Sequence, residues 1–388
     1  MLDKALAGIR VIDFGQIGTG PICAMMLADM GADVIKVEPP AGDGMRKLGP
    51  PFANGESLTY LGANRNKRGI MLDLKVEADI AMAKELIRQA DILVENFRPG
   101  VMNRLGLGWE AAHILNPRLI YCAISAFGQT GPWRDRPGVD GILQGMSGLM
   151  SVTGSPGSGP SKVQPPIVDM TSGFLAATAV LGALHLRNTT GHGQMLDISM
   201  YECALELQRF SFESYLQSGE LPQPLGSAAP YAAPNEAYPA SDGWLMVAAY
   251  HEVRWPRFCK LLGRPELTSD HRFKTLTDRV HNRQALHEEI DPVMRRQKRD
   301  HWLALLEAND ILCGPVASYA DVAASPQLAA RGRLREVDHP VAGRRQSLGF
   351  GLGRSDATSP ERYAPPMIGQ HNTELLADRV AGIGWARK

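Results

Sequence analysis

Cysteine is scarce in this chain, and what is present is scattered. The five residues Cys23, Cys122, Cys203, Cys259 and Cys313 form no CxxC pair in 388 residues. That spacing excludes a disulfide framework or a zinc knuckle and reads as small buried hydrophobes in a reducing compartment. Nor do His, Cys and carboxylate residues cluster at ligand spacing, so no metal is expected. No excess charge of either sign exists, with 41 basic and 41 acidic side chains. Neither nucleic acid nor an anionic membrane is therefore an expected partner. Long apolar runs are missing too: no stretch reaches the roughly 18 uninterrupted residues of a membrane span. The opening MLDKALAGIRVIDFG has no signal-peptide core and runs straight into a strand pattern. A cytoplasmic protein is the expectation.

The chain is nonetheless 44% hydrophobic and 21% charged, the balance of a globular protein with a large buried core and room for two domains. Its first half alternates apolar strand patterns (9–14, 32–38, 70–74, 91–96, 118–125) with helix patterns (21–30, 77–90, 109–115). This alternation predicts an α/β fold, a Rossmann-like parallel sheet covered by helices. A Gly-, Ser- and Pro-rich stretch at 151–166 reads as a functional loop, followed by a long helix to Leu186, a strand at 194–199 and a second helix at 201–217. The Pro- and Ala-rich residues 219–236 read as a linker. Four parts result: a large domain over 1–218, the linker, a smaller α/β domain over 237–330, and a C-terminal segment over 331–388 with strand-like pieces and a helix at 373–379.

The first strand–turn–helix unit imitates a dinucleotide fingerprint, with glycines at 15, 18 and 20 and Glu38 closing the next strand. The spacing fails. Ile17 stands where the second glycine of GxGxxG must let a pyrophosphate approach, and Pro21 lacks an N–H to hold phosphate.

Asp169, in PPIVDMTSG (165–173), stands at the predicted start of the long helix. Free backbone N–H groups and the helix dipole favour negative charge there, which suits an ionised carboxylate acting as nucleophile; an ordinary N-cap is the other reading. Two basic stretches, Asn64–Arg68 leading to Leu72–Lys75 and Asn96–Arg104, lie at strand ends. In an open parallel sheet, ligands sit beyond those ends, and guanidinium groups suit phosphate; a solvated basic face is the alternative.

Seven blocks together resemble the family III CoA-transferases, the group of formyl-CoA transferase and the carnitine CoA-transferases. They are LAGIRVIDFGQIGTGP, NRNKRGIMLDLK, VENFRPGVMNRLGLG, NPRLIYCAISAFGQTGP, VDMTSG, TGHGQMLDISM and PPMIGQHNTELL, in order from residue 6 to residue 376. The resemblance implies an interlocked homodimer whose C-terminal part returns to the large domain. It also implies an acyl-CoA and a carboxylic acid as substrates, with no permanently bound cofactor. Asp169 would carry an aspartyl-CoA thioester. Gly18 and Thr19 would face the pantetheine and acyl end of CoA, and Leu72, Lys75, Asn96, Phe97, Arg98 and Arg104 would contact the rest of it. Asp140 would be a supporting group at the site or an ordinary surface Asp, and His251 and Glu252 match a position facing the cleft, with mere exposure at a strand end as the other reading.

The chain departs from formyl-CoA transferase in having Pro39 for an arginine and Ser125 for a lysine. The glycine loop that shields that enzyme's intermediate also lacks a counterpart between 219 and 265, which disfavours formyl and oxalyl groups. A dicarboxylic donor such as succinyl-CoA is expected by analogy. The related α-methylacyl-CoA racemases share most blocks but need a histidine where this chain has Val139. Valine cannot carry a proton, which disfavours a racemase or acyl-CoA isomerase. A catalytically silent CoA-binding protein would not have kept Asp169.

Overall fold

The computed structural model describes residues 2–349, 351, 362–376 and 385. Thirteen strands occur among them, β1 (Arg10–Asp13), β2 (Asp33–Glu38), β3 (Phe52–Ala53), β4 (Glu56–Ser57), β5 (Lys67–Met71), β6 (Ile92–Glu95), β7 (Ile120–Ser125), β8 (Gln194–Ser199), β9 (Asn235–Ala240), β10 (Gly243–Ala248), β11 (Leu312–Pro315), β12 (Leu334–His339) and β13 (Gly343–Leu348). The chain divides into two compact units. The first joins Met1–Leu149, Lys162–Glu220 and Pro326–Lys388; the second joins Met150–Ser161 and Leu221–Ser325. The glycine- and serine-rich stretch is thus shared between them, most of it lying with the second unit.

The first unit is built on six parallel strands in the order β5-β2-β1-β6-β7-β8. Counted in chain order these are 3-2-1-4-5-6, the doubly wound arrangement. Both faces are covered, so the strands read as apolar runs. Val11, Val34, Ile92, Val94 and Ile124 point to one face, packing on helices Thr19–Asp29 and Ile167–Thr190. Ile12, Ile35, Val37, Leu93 and Tyr121 point to the other, against helix Glu77–Gln89. Helix Ile167–Thr190 is long and apolar enough by composition to span a membrane. Here Val168, Ala176, Ala177, Val180 and Ala183 along it are buried in the core. It lies very close to helix Thr19–Asp29: a Cβ on Gly173 would fall 2.6 Å from Ile22 Cγ2.

Strand β5 begins at Lys67, not at Ile70, because two charged residues are buried at its start. Lys67 Nζ lies 2.8 Å from Asp13 Oδ2, and Arg68 pairs with Asp33 at 2.7 Å. The edge of β5 is sealed by the C-terminal segment. Gly69 N donates to His371 Nδ1 at 2.9 Å, His371 N returns a bond to Gly69 O at 2.9 Å, and Met71 N donates to Asn372 Oδ1 at 2.9 Å. The helix there covers Asn372–Leu376, and the remainder of the expected helix, 377–379, lies outside the described residues.

In the second unit, β9, β10 and β11 form an antiparallel sheet in the order β11-β10-β9. Tyr238, Leu245, Val247, Trp255, Phe258, Leu286 and Trp302 make its core. Strand β9 starts at Asn235, inside the stretch expected to be linker. It is an edge strand, which is where Pro239 is tolerated. The single helix expected over 201–217 is two, Met200–Leu207 and Arg209–Ser218, broken at Gln208.

Candidate active site

In a doubly wound sheet the crevice opens where strand order reverses, here between β1 and β6. The loops leaving these two strands and β7 enclose a cavity of about 590 Å³. Gln16, Ile17, Gly18 and Thr19 enter it after β1, Asn96 to Pro99 after β6, and Ile124 to Ala126 at the end of β7. Asp169 lines the same cavity.

The β1 loop is held from below by buried charges. Asp13 Oδ1 accepts from Gly15 N at 2.8 Å, and Asp13 Oδ2 pairs with Lys67. Lys67 Nζ also donates to Pro21 O and Asn64 Oδ1, each at 2.8 Å. Lys36 Nζ donates to Gly15 O at 2.8 Å and pairs with Asp43 at 2.9 Å. Asn96 clamps Gln16 on both sides, accepting from its N–H and donating to its carbonyl, each at 2.8 Å. Asp43 Oδ1 takes Ile17 N at 2.8 Å. Every peptide N–H from Gly15 to Ile17 is therefore fixed by a side chain. Ile17 is held at φ 64°, a strained conformation for a β-branched residue, with its side chain exposed to the cavity. Burial lowers the Lys67 pKa to about 8 against the pull of Asp13. Lys36, equally buried, is held above its ordinary value because Asp13, Asp43 and Glu38 outweigh its desolvation.

Asp169 is the third residue of its helix rather than the N-cap, a place taken by Pro166, which offers no side-chain cap. The cap comes from another helix, Asp140–Met146. Asp140 Oδ1 accepts from Val168 N at 2.8 Å and from Asp169 N at 3.4 Å. Its Oδ2 accepts from Gln144 Nε2 at 2.7 Å. Asp140 is buried and supports the helix that carries Asp169, so it is not the ordinary surface Asp of the alternative reading.

Because Asp140 takes those N–H groups, the helix terminus does not hold the Asp169 pKa down as the sequence suggested. Burial, and then the Asp140 charge, raise it to about 6, against one opposing bond from Thr19. That bond runs from Thr19 Oγ1 to Asp169 Oδ1 at 3.3 Å. The second oxygen, Oδ2, faces Gly18, where an added Cβ would lie only 2.5 Å from it. Glycine there keeps that edge of the carboxylate open. A half-buried carboxylate with one light hydrogen bond, ionised at neutral pH, is equipped to attack an activated carbonyl.

Of the residues singled out from sequence, Gly18, Thr19, Asn96, Phe97, Arg98 and Asp169 meet in this cavity. Leu72 is buried in the core, and Lys75 and Arg104 are exposed outside the cavity lining. His251 and Glu252 belong to the second unit, where Glu252 pairs with Arg279 at 3.0 Å. Sequence reasoning did not assign a site role to Gln16, Arg136, Ile142 or Met200, all of which line the cavity. The strand-to-helix breaks at 14–18 and 126–139 were the available signal. Ser125, noted only as a departure, lies at the cavity with a buried hydroxyl that has no hydrogen-bond partner among the described residues. Val139, also in the lining, brings no proton carrier. Among the described residues no group of metal-ligating side chains occurs.

The sequence model of CoA-transferase family III matches residues 6–372. The chain is 37% identical over 382 residues to the succinate–glutarate CoA-transferase of Agrobacterium fabrum, spanning 96% of this chain and 95% of that one. It is 34% identical over 376 residues to the human succinyl-CoA:glutarate CoA-transferase, spanning 97% of this chain and 86% of that one. Among solved structures, a CAIB/BAIF family protein from Brucella suis superposes with a TM-score of 0.85 at 35% identity, covering 96% of this chain and 98% of that one. With similarity of this extent running through both units, the chain belongs to CoA-transferase family III and is an enzyme that moves CoA between an acyl-CoA and a carboxylic acid.

Proposed function

We propose that Asp169 is the nucleophile of this transfer and carries CoA as an aspartyl thioester. Its carboxylate attacks the thioester carbonyl of the donor, giving a mixed anhydride and CoA thiolate. The thiolate attacks the aspartyl carbonyl, so the donor acid leaves and the aspartyl-CoA thioester remains. The acceptor carboxylate attacks that thioester, forming a second mixed anhydride and freeing CoA thiolate. Thiolate attack on the acceptor carbonyl then releases the new acyl-CoA and restores Asp169. No step moves a proton, so one open carboxylate suffices. The supporting observation is the Oδ2 edge left bare opposite Gly18.

Gly18, Thr19, Asn96, Phe97 and Arg98 hold the thioester end of CoA in this reading, and Lys75 and Arg104 meet its charged head. The exposed apolar side chains Phe174, Leu186, Phe210 and Leu216 support pairing with a second copy of the chain. Five free cysteines support a reducing, cytoplasmic setting.

The test is trapping. Borohydride or hydroxylamine added after donor acyl-CoA should modify Asp169 in the absence of acceptor, and Asp169→Asn should abolish both label and transfer. Full activity in a folded Asp169→Asn variant would defeat the assignment. So would deuterium exchange at the alpha carbon of a 2-methylacyl-CoA without any acid exchange.

A further inference from the structure

Arg136 is a cation that the transfer steps do not use. It lines the cavity that holds Asp169, yet among the described residues it makes no ion pair, whereas nearby Arg134 pairs with Asp135 at 3.4 Å. The Arg136 guanidinium lies over the Trp133 ring, 5.3 Å from its centroid, and its backbone N–H is anchored to Trp133 O at 2.8 Å. A cation over an aromatic face is drawn to it electrostatically while its N–H donors remain available. Four residues further on is Asp140, whose carboxylate caps the Asp169 helix, so the loop bearing Arg136 is keyed to the reacting carboxylate. Around it the cavity is largely apolar, with Ile17, Phe97, Ile124, Val139, Ile142 and Met200. Arg136 itself is exposed, so it stands at the open side of this lining, where an unpaired guanidinium offers a carboxylate two N–H donors.

We infer that Arg136 binds the distal carboxylate of a dicarboxylic acid whose other carboxyl reacts at Asp169. This makes it the residue that selects dicarboxylic over monocarboxylic substrates. The assignment rests on the CoA-transfer reading and adds a substrate class to it. A CoA phosphate is the competing anion. However, the pantetheine arm separates CoA phosphates from the thioester, and Arg136 shares the cavity of the reacting group.

The experiment compares acceptors of equal chain length, glutarate and pentanoate, with one acyl-CoA donor and three proteins: wild type, Arg136→Gln and Arg136→Lys. Wild type should prefer glutarate. In Arg136→Gln the glutarate-to-pentanoate ratio of kcat/KM should fall by about 10- to 100-fold, the scale of one charge-assisted hydrogen bond. The loss should sit mostly in the KM for glutarate, and Arg136→Lys should recover part of it. Product inhibition by CoA should be unchanged. An unchanged ratio, or an equal loss for both acids with weakened CoA inhibition, would overturn the assignment, the latter in favour of phosphate. Transfer to pentanoate but not to glutarate by wild type would overturn this inference while leaving the nucleophile intact. Absence of transfer to any acid would remove both.

Discussion

Gly18→Ala puts the geometry of the proposed nucleophile under direct test. The added methyl would fall 2.5 Å from Asp169 Oδ2 and 2.9 Å from its Cγ. Ordinary contact begins near 3.5 Å, so the overlap is roughly 1 Å. The loop cannot recoil, because Gln16 is clamped by both ends of the Asn96 amide and Ile17 N is held by Asp43. Nor can the Asp169 helix retreat easily, since Val168 N and Asp169 N are tied to Asp140 Oδ1. The carboxylate must therefore rotate, giving up its bond to Thr19 and leaving the line of attack. A misplacement of about 1 Å at a reacting group costs on the order of 10²-fold, or about 2.7 kcal/mol of barrier. Stability should fall by only about 1–3 kcal/mol, the usual cost of overpacking. Steady-state transfer assays should show kcat down about 100-fold, with CoA affinity by calorimetry within a few-fold and native circular dichroism. A folded Gly18→Ala enzyme with wild-type kcat would show that the Oδ2 edge is not where the reaction occurs.

Three further outcomes follow from the same geometry. Asp169 has its pKa raised from 3.8 to about 6, so it is ionised above that pH and protonated below it; kcat/KM should fall tenfold per unit as pH drops below about 6, and a flat profile down to pH 5 would refute this. Asp140→Ala removes the cap on Val168 and Asp169 and also the charge that raises the Asp169 pKa. Urea unfolding should show a loss of about 1–2 kcal/mol, and the acidic limb of the rate profile should move to lower pH; a limb that stays in place would contradict the electrostatic account. Lys67→Met strands the buried Asp13 carboxylate, so chemical unfolding should show about 3–5 kcal/mol lost, and a neutral result would mean the pair does not hold the loop.

The sheet was legible where strands are apolar runs bounded by breakers, which is why β1, β2, β6, β7 and β8 stood near their expected places. The β5 strand was displaced because Lys67 and Arg68 read as solvated charge. Their burial depends on Asp13 and Asp33, distant in sequence. In the site, Asp169 and the two glycine-containing turns carried local signals. The capping of Asp169 by Asp140, and the presence of Arg136 and the β1 loop in the lining of one cavity, come from tertiary placement that no short motif encodes.

The sealing of β5 by residues 366–372 has a consequence for biosynthesis. The first unit is closed by chain that the ribosome makes after the whole second unit, Met150–Ser161 and Leu221–Ser325. Until Pro366 O can accept from Arg46 at 2.7 Å and His371 can bond Gly69, the open side of β5 offers unpaired peptide groups. Such an edge is a template for strand addition by another nascent chain. Translation that stalls between residues 326 and 362 should therefore yield aggregates seeded at β5. A peptide spanning 362–376, supplied in trans, should suppress them.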